Sequence, residues 1–195
     1  MVMGIFMENV IYYVGQAVGI IGLIIMVLSF QQKTQRNIVL YQLASSMLFT
    51  VHYFMLGAYV GSLLNFIGIF RAFVFANKNK SWAQKKFWLY LFLTAFVTVG
   101  ILTLDGYINI FEWNASFSSI STYIAMLPII GMSFTTVAFW ITYAPTVRKL
   151  SFPNSPCWLI YNFYNHSWAG VATEIIVMTS IIVAMIRYDF KKVRS

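Results

Sequence analysis

The stretch VIYYVGQAVGIIGLIIMVLSF, residues 10–30, runs directly into QQKTQRN, residues 31–37, and this junction decides the fold. A helix needs about 20 mostly apolar residues to cross the hydrocarbon core of a bilayer, and the first stretch provides that length without a charge. The second stretch places Lys33 and Arg36 just beyond its end. Because basic residues near the ends of membrane helices stay in the cytoplasm, the junction predicts a transmembrane helix that ends on the cytoplasmic side.

The composition extends this prediction to the whole chain. Of the 195 residues, 60% are hydrophobic and 9% are charged, whereas a soluble domain carries about 25% charged residues. The net charge is +8, but the basic residues lie in short loops between apolar runs and not on one polar face, as nucleic-acid binding would require. The sequence therefore predicts an all-α polytopic membrane protein, a single membrane domain over residues 1–195. Its partner is the lipid bilayer and not nucleic acid.

Seven transmembrane helices are predicted from apolar length and from the charged, proline and glycine residues that interrupt it. They cover residues 10–30, 38–56, 60–76, 87–104, 120–143, 153–166 and 170–188. The sixth is the shortest of these segments. Pro153 and Pro156 near its start lack the amide hydrogen that a helix interior requires, so we expect a short or broken span there.

The distribution of Lys and Arg indicates the orientation. All but Arg71 of the 13 basic residues follow the first, third, fifth or seventh helix. The opposite side carries only Glu8, Asp105 and Glu112 as charged residues. The pattern predicts that the N-terminus lies outside and the C-terminus lies in the cytoplasm. An even number of helices would break this one-sided pattern.

A shift of 109 residues aligns the first three predicted helices with the last three, without a gap. It places Gly22 on Gly131 and Gly61 on Gly170, and these pairs are the main support because Ile and Phe match often by chance in so apolar a chain. Two three-helix units in the same orientation, residues 10–76 and 120–188, need one extra crossing between them. The predicted fourth helix, residues 87–104, supplies it, which predicts a 3+1+3 arrangement about an axis along the membrane normal.

Four stretches of the chain resemble a known family. They are GIIGLIIMVLSFQQKTQRN (19–37), VHYFMLGAYVGSLLNFIGIFR (51–71), LPIIGMSFTTVAFW (127–140) and CWLIYNFYNHSWAGVATEI (157–175). They resemble the YgjV-type bacterial inner-membrane protein family, and the likeness covers most of both three-helix units. The resemblance implies a bacterial inner-membrane location and an architecture, but it implies no substrate.

At the level of fold, the 3+1+3 layout also looks like that of SWEET sugar transporters, PQ-loop proteins and PnuC-type vitamin transporters. The PQ dipeptide that names the PQ-loop group is absent, and only Pro145 before Arg148 and Lys149 is similar to its setting. A shared fold does not determine function, so this likeness gives an expectation and no more.

Three ionisable residues lie within predicted spans, where each costs roughly 2.5 to 3.5 kcal/mol at a helix centre. Arg71 lies toward the cytoplasmic half of its helix, where it can snorkel to the interface or serve as a charge partner. Glu174 is the 109-residue shift partner of Asn65, and the likeness to SWEET proteins implies both as pocket residues at one depth. The alternative is an interhelical hydrogen bond worth about 1 kcal/mol. His52 is a candidate proton acceptor or a satisfied interhelical histidine.

Polar and aromatic residues also form stripes on two predicted helices, which must face protein or water because lipid cannot satisfy their hydrogen bonds. They predict a central cavity lined by the second, third, sixth and seventh helices. Trp158 and Tyr161 are candidates for stacking on a ring-bearing solute, with simple packing as the alternative. The predicted substrate-binding residues are Asn65, Glu174, His52, Trp158, Tyr161, Asn162, Ser45 and Gln42, with Arg71 as a possible charge partner.

The sequence offers no sign of catalysis. It contains no GxSxG, HExxH or Walker motif, and its five acidic residues are scattered over both sides. Cys157 is the single cysteine and has no partner at metal-ligand spacing, so no metal site and no cofactor are predicted. The first functional hypothesis is a SWEET-like carrier for a small solute, and the alternative is a membrane sensor or assembly protein that does not transport.

Overall fold

A computed structural model describes residues 2–104 and 120–190, and the side chains of residues 9–104 and 120–189. Within these ranges the fold is helical, with a 3₁₀ turn at Ser81–Gln84 and a π-helical end at Met185–Phe190. The helices are α1 (Val2–Phe30), α2 (Gln35–Met55), α3 (Tyr59–Ala76), α4 (Phe87–Leu104), α5 (Ile120–Trp140), α6 (Ala144–Ser151), α7 (Asn154–Tyr164) and α8 (Trp168–Ala184).

Six helices in the described part of the chain are long and apolar enough to cross a membrane, one fewer than the sequence predicts. The difference lies in the expected sixth span, residues 153–166, where the structure has α7 with 11 residues. A further helix, α6 with 8 residues, precedes it in a stretch that was expected to be a loop. At 1.5 Å per residue these helices are about 17 and 12 Å long, too short to cross a core of about 30 Å singly. Pro153 at the junction has no amide hydrogen to donate, which explains the break.

The largest shift at a start is in α1, which begins at Val2 and not at residue 10. The other helix boundaries follow the prediction within a few residues, and α2 begins at Gln35 and not at residue 38. Thr34 causes this extension, because its hydroxyl oxygen accepts a hydrogen bond from the Asn37 amide at 3.2 Å and caps the helix.

Contacts between helix ends define one basic end of the molecule. The Gln35 side chain at the start of α2 donates to the Phe139 carbonyl near the end of α5 at 2.8 Å. Lys78, just after α3, donates to the Trp140 carbonyl at the end of α5. At this end lie all described Lys and Arg side chains except Arg71. The remaining predicted loop charges, at 105, 112, 191, 192 and 194, lie outside the described residues, and so does the side chain at position 8.

Together, α6 and α7 run between the two ends of the molecule. Arg148 in α6 donates to the Gln32 carbonyl at 3.4 Å, at the basic end. Near the end of α7, the Tyr161 hydroxyl accepts a hydrogen bond at 2.9 Å from the Gly61 amide, close to the start of α3 and therefore at the opposite end. The break between α6 and α7 thus lies at a depth between the two ends of the molecule.

Two bends 109 residues apart have the same backbone structure. Gly57 between α2 and α3 has φ of 74°, and His166 between α7 and α8 has φ of 51°. One residue later, Ala58 donates its amide to the Tyr53 carbonyl at 2.9 Å. The matching bond joins the Ser167 amide to the Asn162 carbonyl at the same 2.9 Å. The left-handed conformation at His166 is uncommon for a residue with a side chain, so its repetition at this spacing supports a duplicated turn.

The glycine pair at positions 61 and 170 has a structural explanation. A Cβ atom at Gly61 would lie 3.1 Å from Cγ of Tyr53, and one at Gly170 would lie 2.5 Å from Cγ of Asn162. Tyr53 and Asn162 are themselves 109 residues apart and contact each other, with the Tyr53 hydroxyl donating to Asn162 Oδ1 at 2.7 Å. A residue that touches its own shift partner lies where the two segments meet.

Glycines of α1 permit close packing of helices. A Cβ atom at Gly19 would lie 2.6 Å from Nδ1 of His52 in α2 and 2.8 Å from Cβ of Ala169 in α8. Gly15 and Gly22 face α2 in the same way. These small residues therefore allow α1 to pack closely against its neighbouring helices.

Candidate functional site

Two small adjoining cavities lie inside the fold. The larger, called the central cavity, has a volume of about 40 Å³ and is lined from α1, α2, α3, α5, α7 and α8. The smaller, called the side cavity, has a volume of about 20 Å³. Both are lined by Glu174, Asn154, Thr135, Gln42 and Met26, so they share a wall.

The structure brings together half of the residues that the sequence predicted for a solute site. Asn65, Glu174, Trp158 and Gln42 line the central cavity, together with Arg71. Asn65 and Glu174 are each the seventh residue of their helices, α3 and α8. Their binding of a solute stays a prediction.

Glu174 is the acidic residue of this cavity and is 7% exposed. Among the described side chains, Arg148 and Asp189 form an ion pair within 4.0 Å, whereas Glu174 forms no ion pair at that distance. Its carboxyl group interacts electrostatically with Ser155, although no hydrogen bond of normal geometry joins the two. The cavity therefore holds a carboxyl group that no described side chain neutralises as a close ion-pair partner.

Arg71 does not snorkel to the interface, which corrects that expectation, and among the described side chains it forms no ion pair with Glu174. It is 3% exposed, whereas Phe70 and Phe73 on the lipid-facing side of α3 are 53% and 54% exposed. Its helix face points inward, so the side chain has no path along lipid to water. One terminal nitrogen, Nη1, instead donates to Thr136 Oγ1 at 2.9 Å and to the Met132 carbonyl at 3.1 Å.

Aromatic rings complete the surroundings of the Arg71 guanidinium. Its carbon lies 5.0 Å from the ring centre of Phe139 and 5.6 Å from that of Phe96. Cation–π attraction acts within about 6 Å and offsets part of the cost of removing the charge from water. Nε has no hydrogen-bond partner among the described atoms. The guanidinium is thus only partly satisfied where it borders the cavity.

Asn65 does not form the interhelical hydrogen bond that was the alternative to a pocket role. Its amide nitrogen donates at 2.9 Å to the Gly61 carbonyl, one turn earlier in the same helix. The bond therefore orients the side chain without joining α3 to another helix.

The other four predicted residues lie outside the lining of both cavities, in hydrogen bonds between helices. His52 bonds Gly15 and Ser167, Tyr161 bonds Gly61, Asn162 bonds Tyr53, and Ser45 bonds Gly22. On α2 the error is one position, because Ser46 and Tyr53 line the central cavity where Ser45 and His52 were predicted. Successive helical residues point about 100° apart, so a one-residue error turns a side chain from the cavity to the neighbouring helix.

Sequence reasoning also missed Thr135 of α5 and Asn154 of α7, which line both cavities. A signal was present for each. Thr135 is a polar residue in an apolar span, and Asn154 is the shift partner of Ser45.

Packed side chains flank the central cavity toward both ends. Toward the basic end, Ile38 and Val39 are fully buried between Gln35 and Gln42. Toward the opposite end, the ring of Tyr53 is stacked on Trp158 with centroids 5.4 Å apart. Small-molecule sites are typically about 300 to 1,000 Å³, and a water molecule occupies about 30 Å³. The enclosed space is therefore sufficient for about one water molecule.

A much larger opening lies at the basic end, with a volume of about 910 Å³. Its charged lining residues are Lys33, Arg148, Lys149 and Asp189. Arg148 and Asp189 form a two-point ion pair with distances of 3.1 and 2.5 Å, which ties α6 to the π-helical end of the chain. This opening was not predicted from the sequence.

Comparison with known proteins identifies relatives for nearly the whole chain. Residues 13–192 match the family model described as bacterial inner membrane protein, Imp-YgjV. The chain is 23% identical over 163 residues to "Inner membrane protein YgjV" of Escherichia coli strain K12, a span that covers 84% of this chain and 78% of that protein. No solved structure matches. The chain belongs to the YgjV family of bacterial inner membrane proteins, as its four quoted stretches predicted.

Proposed function

We propose that this protein is a carrier for a small polar solute, with the central cavity as its solute site. The observation that carries the proposal is a carboxyl group and a guanidinium, Glu174 and Arg71, bordering one enclosed cavity within an apolar fold. Ionisable side chains at membrane depth are costly, and they commonly mark the path of a substrate or ion. Neither hypothesis for this protein includes catalysis.

The proposed architecture is two three-helix units joined by α4, with α6 and α7 together counted as the sixth of seven crossings. The duplicated bends at Gly57 and His166 support it, as does the contact between the shift partners Tyr53 and Asn162. The units correspond to residues 10–76 and 120–188. An axis along the membrane normal then passes close to the Tyr53–Asn162 contact.

Transport in this arrangement requires the two units to rock against each other. Hydrogen bonds between the units lie on both sides of the cavity, among them Gln35 to Phe139 at the basic end and Tyr53 to Asn162 at the other. Breaking the bonds on one side while keeping those on the other would open the cavity to one side at a time. Such alternation is how carriers with repeated units move solutes.

The alternative function is a membrane sensor or assembly protein that keeps the fold without transport. The volume of about 40 Å³ favours it, because no nutrient-sized solute fits this enclosed space. A carrier predicts that the cavity expands when solute binds, whereas an assembly protein predicts no small-molecule binding at all.

The deciding experiment is a thermal-shift screen of the purified protein against nucleosides, vitamins, sugars and amino acids, followed by uptake of any hit into proteoliposomes. A solute that binds the folded state raises the melting temperature by mass action. Uptake above that of protein-free liposomes supports the carrier. Binding without uptake, or no binding, would favour the sensor or assembly function.

Replacing Glu174 with glutamine should leave the protein folded but remove the pH dependence of solute binding or uptake. Glutamine keeps the size of the side chain and cannot ionise. The measurement is the apparent affinity for the screened solute from pH 5 to 9, beside Ser180→Ala as a control. Ser180 is as buried in α8, at 6% exposure, but it bonds Gln31 outside both cavities. An unchanged pH profile in Glu174→Gln would indicate that Glu174 has a structural role and does not set the pH dependence of solute binding.

The proposed orientation places the basic end in the cytoplasm. A reporter fused after position 195 should then be cytoplasmic, and one inserted near position 114 should be external. Both positions lie outside the described residues. The experiment compares alkaline phosphatase, active outside, with a fluorescent protein that folds inside. Phosphatase activity after position 195 would show that the proposed orientation is wrong. Cytoplasmic signals at both sites would contradict seven crossings.

A further inference from the structure

The side cavity is lined by the residues whose buried side-chain oxygen atoms lack a hydrogen bond of normal geometry. Five buried side-chain nitrogen or oxygen atoms in the described part of the chain have no hydrogen bond of normal geometry, although the Ser155 hydroxyl interacts with the Glu174 carboxyl group. Two are nitrogens, on Arg71 and Asn162. The three oxygens belong to Ser151, Asn154 and Ser155, and all three residues line the side cavity. An orphaned buried oxygen is costly, so three around one small space require an explanation.

Other oxygen donors line the same space. Glu174 contributes its carboxyl group. Thr135 donates its hydroxyl hydrogen to the Gly131 carbonyl at 3.1 Å, which leaves the hydroxyl oxygen as an acceptor. The site therefore combines hydroxyl, amide and carboxylate oxygens with no nitrogen or sulfur ligand required. Oxygen ligands of this type suit hard cations.

The broken helix explains how these groups converge. Ser151 is the last residue of α6 and Asn154 is the first residue of α7, so the break at Phe152 and Pro153 brings both side chains to the cavity. A continuous helix would bury its ends elsewhere and offer fewer free oxygens. In membrane transporters, breaks of this type at membrane depth form ion sites.

We propose that the side cavity binds one sodium ion through oxygens of Ser151, Asn154, Ser155, Thr135 and Glu174. The single carboxylate balances one positive charge, whereas divalent cations usually require more carboxylates. The volume of about 20 Å³ limits the occupant to a single ion or water molecule. The nearest described cationic lining residue, Arg71, borders the central cavity and not the side cavity. A bound water molecule is the competing occupant.

Melting temperature tests the proposal directly. The purified protein is unfolded in NaCl, LiCl, KCl or choline chloride at one ionic strength, with Na⁺ titrated against choline. We expect a saturable rise in melting temperature with Na⁺, a similar or smaller rise with Li⁺, and none with K⁺ beyond that with choline. Equal melting temperatures in all four salts would mean that water occupies the cavity, which overturns the proposal.

Variants locate the effect. Ser155→Ala and Ser151→Ala each remove one oxygen, and each should raise the half-saturating Na⁺ concentration at least about tenfold. Ser180→Ala is the matched control. The Ser180 hydroxyl is similarly buried, but it lies away from the cavity and donates to the Val27 carbonyl at 3.2 Å. If one alanine variant does not fold, the Na⁺ response of the other tests the assignment. An unchanged Na⁺ response in the folded variant, or an equal loss in Ser180→Ala, would overturn the assignment.

Sodium binding goes beyond the proposed carrier function, and only its coupling to transport rests on that function. The sodium site and the carrier function can therefore be contradicted independently of each other. A Na⁺ response without solute uptake keeps the ion site and removes the carrier. Uptake that is independent of an inward Na⁺ gradient, together with a Na⁺ response, keeps both and assigns the ion a structural role.

Discussion

Replacing His52 with alanine should lower the free energy of unfolding by about 3 kcal/mol and leave solute affinity unchanged. His52 is fully buried, and its ring joins three helices. Nδ1 lies 2.8 Å from the Gly15 carbonyl, which only accepts, so this nitrogen carries the hydrogen. Nε2 then accepts from the Ser167 hydroxyl at 2.7 Å. Alanine would leave a cavity and remove both bonds.

The affected helix start explains the size of this effect. The Ser167 oxygen also accepts from the Gly170 amide at 3.3 Å and so caps α8. Loss of the His52 ring removes the acceptor that orients this cap. The measurement is thermal or denaturant unfolding in detergent, combined with solute affinity for the folded fraction.

His166→Ala is the matched control for His52→Ala. His166 is exposed, and Tyr12 and Gln16 bond only its backbone carbonyl, which alanine retains. Its melting temperature should therefore change little. If His52→Ala is as stable as His166→Ala but loses solute affinity or pH dependence, the structural role of His52 is wrong and the proton-acceptor hypothesis returns.

The sequence predicts the helices well because membrane crossing depends on local length and charge. The apolar run of residues 10–30 and the basic residues after it require no tertiary information. Helix faces are harder to predict. Ser45 and Ser46 are adjacent polar residues, and only the packing of α1 against α2 determines that Ser45 bonds Gly22 while Ser46 lines the cavity.

The buried charges show a second limit of sequence reasoning. Snorkelling of Arg71 was predicted from its depth, but depth does not give the direction of a side chain around its helix. The predicted absence of a metal site considered Cys, His, Asp and Glu, and the described residues contain no group of three or more such side chains at metal-ligand positions. Hydroxyl and amide oxygens become a candidate ion site only when a helix break assembles them, as at Ser151 and Asn154.

Replacing Arg71 with methionine should separate function from stability more sharply than any other change. Methionine has a similar length and flexibility without the charge. The Arg71 guanidinium has no carboxylate within 4.0 Å among the described side chains, so removing it relieves a desolvation cost. Replacement of a buried charge by an apolar side chain of similar volume is often neutral or stabilising, by about 1 to 4 kcal/mol. We therefore expect an equal or higher melting temperature.

Solute binding in Arg71→Met should fall at the same time. A hydrogen bond to a charged group contributes about 1.5 to 3 kcal/mol, which corresponds to roughly 10- to 150-fold in affinity. The matched control is Lys78→Met, which removes a cation 3.7 Å from the Trp140 ring centre at the basic end, away from both cavities. It should keep solute affinity. A large loss of stability in Arg71→Met with unchanged affinity would show that the guanidinium holds α3 against α5 and does not serve the cavity.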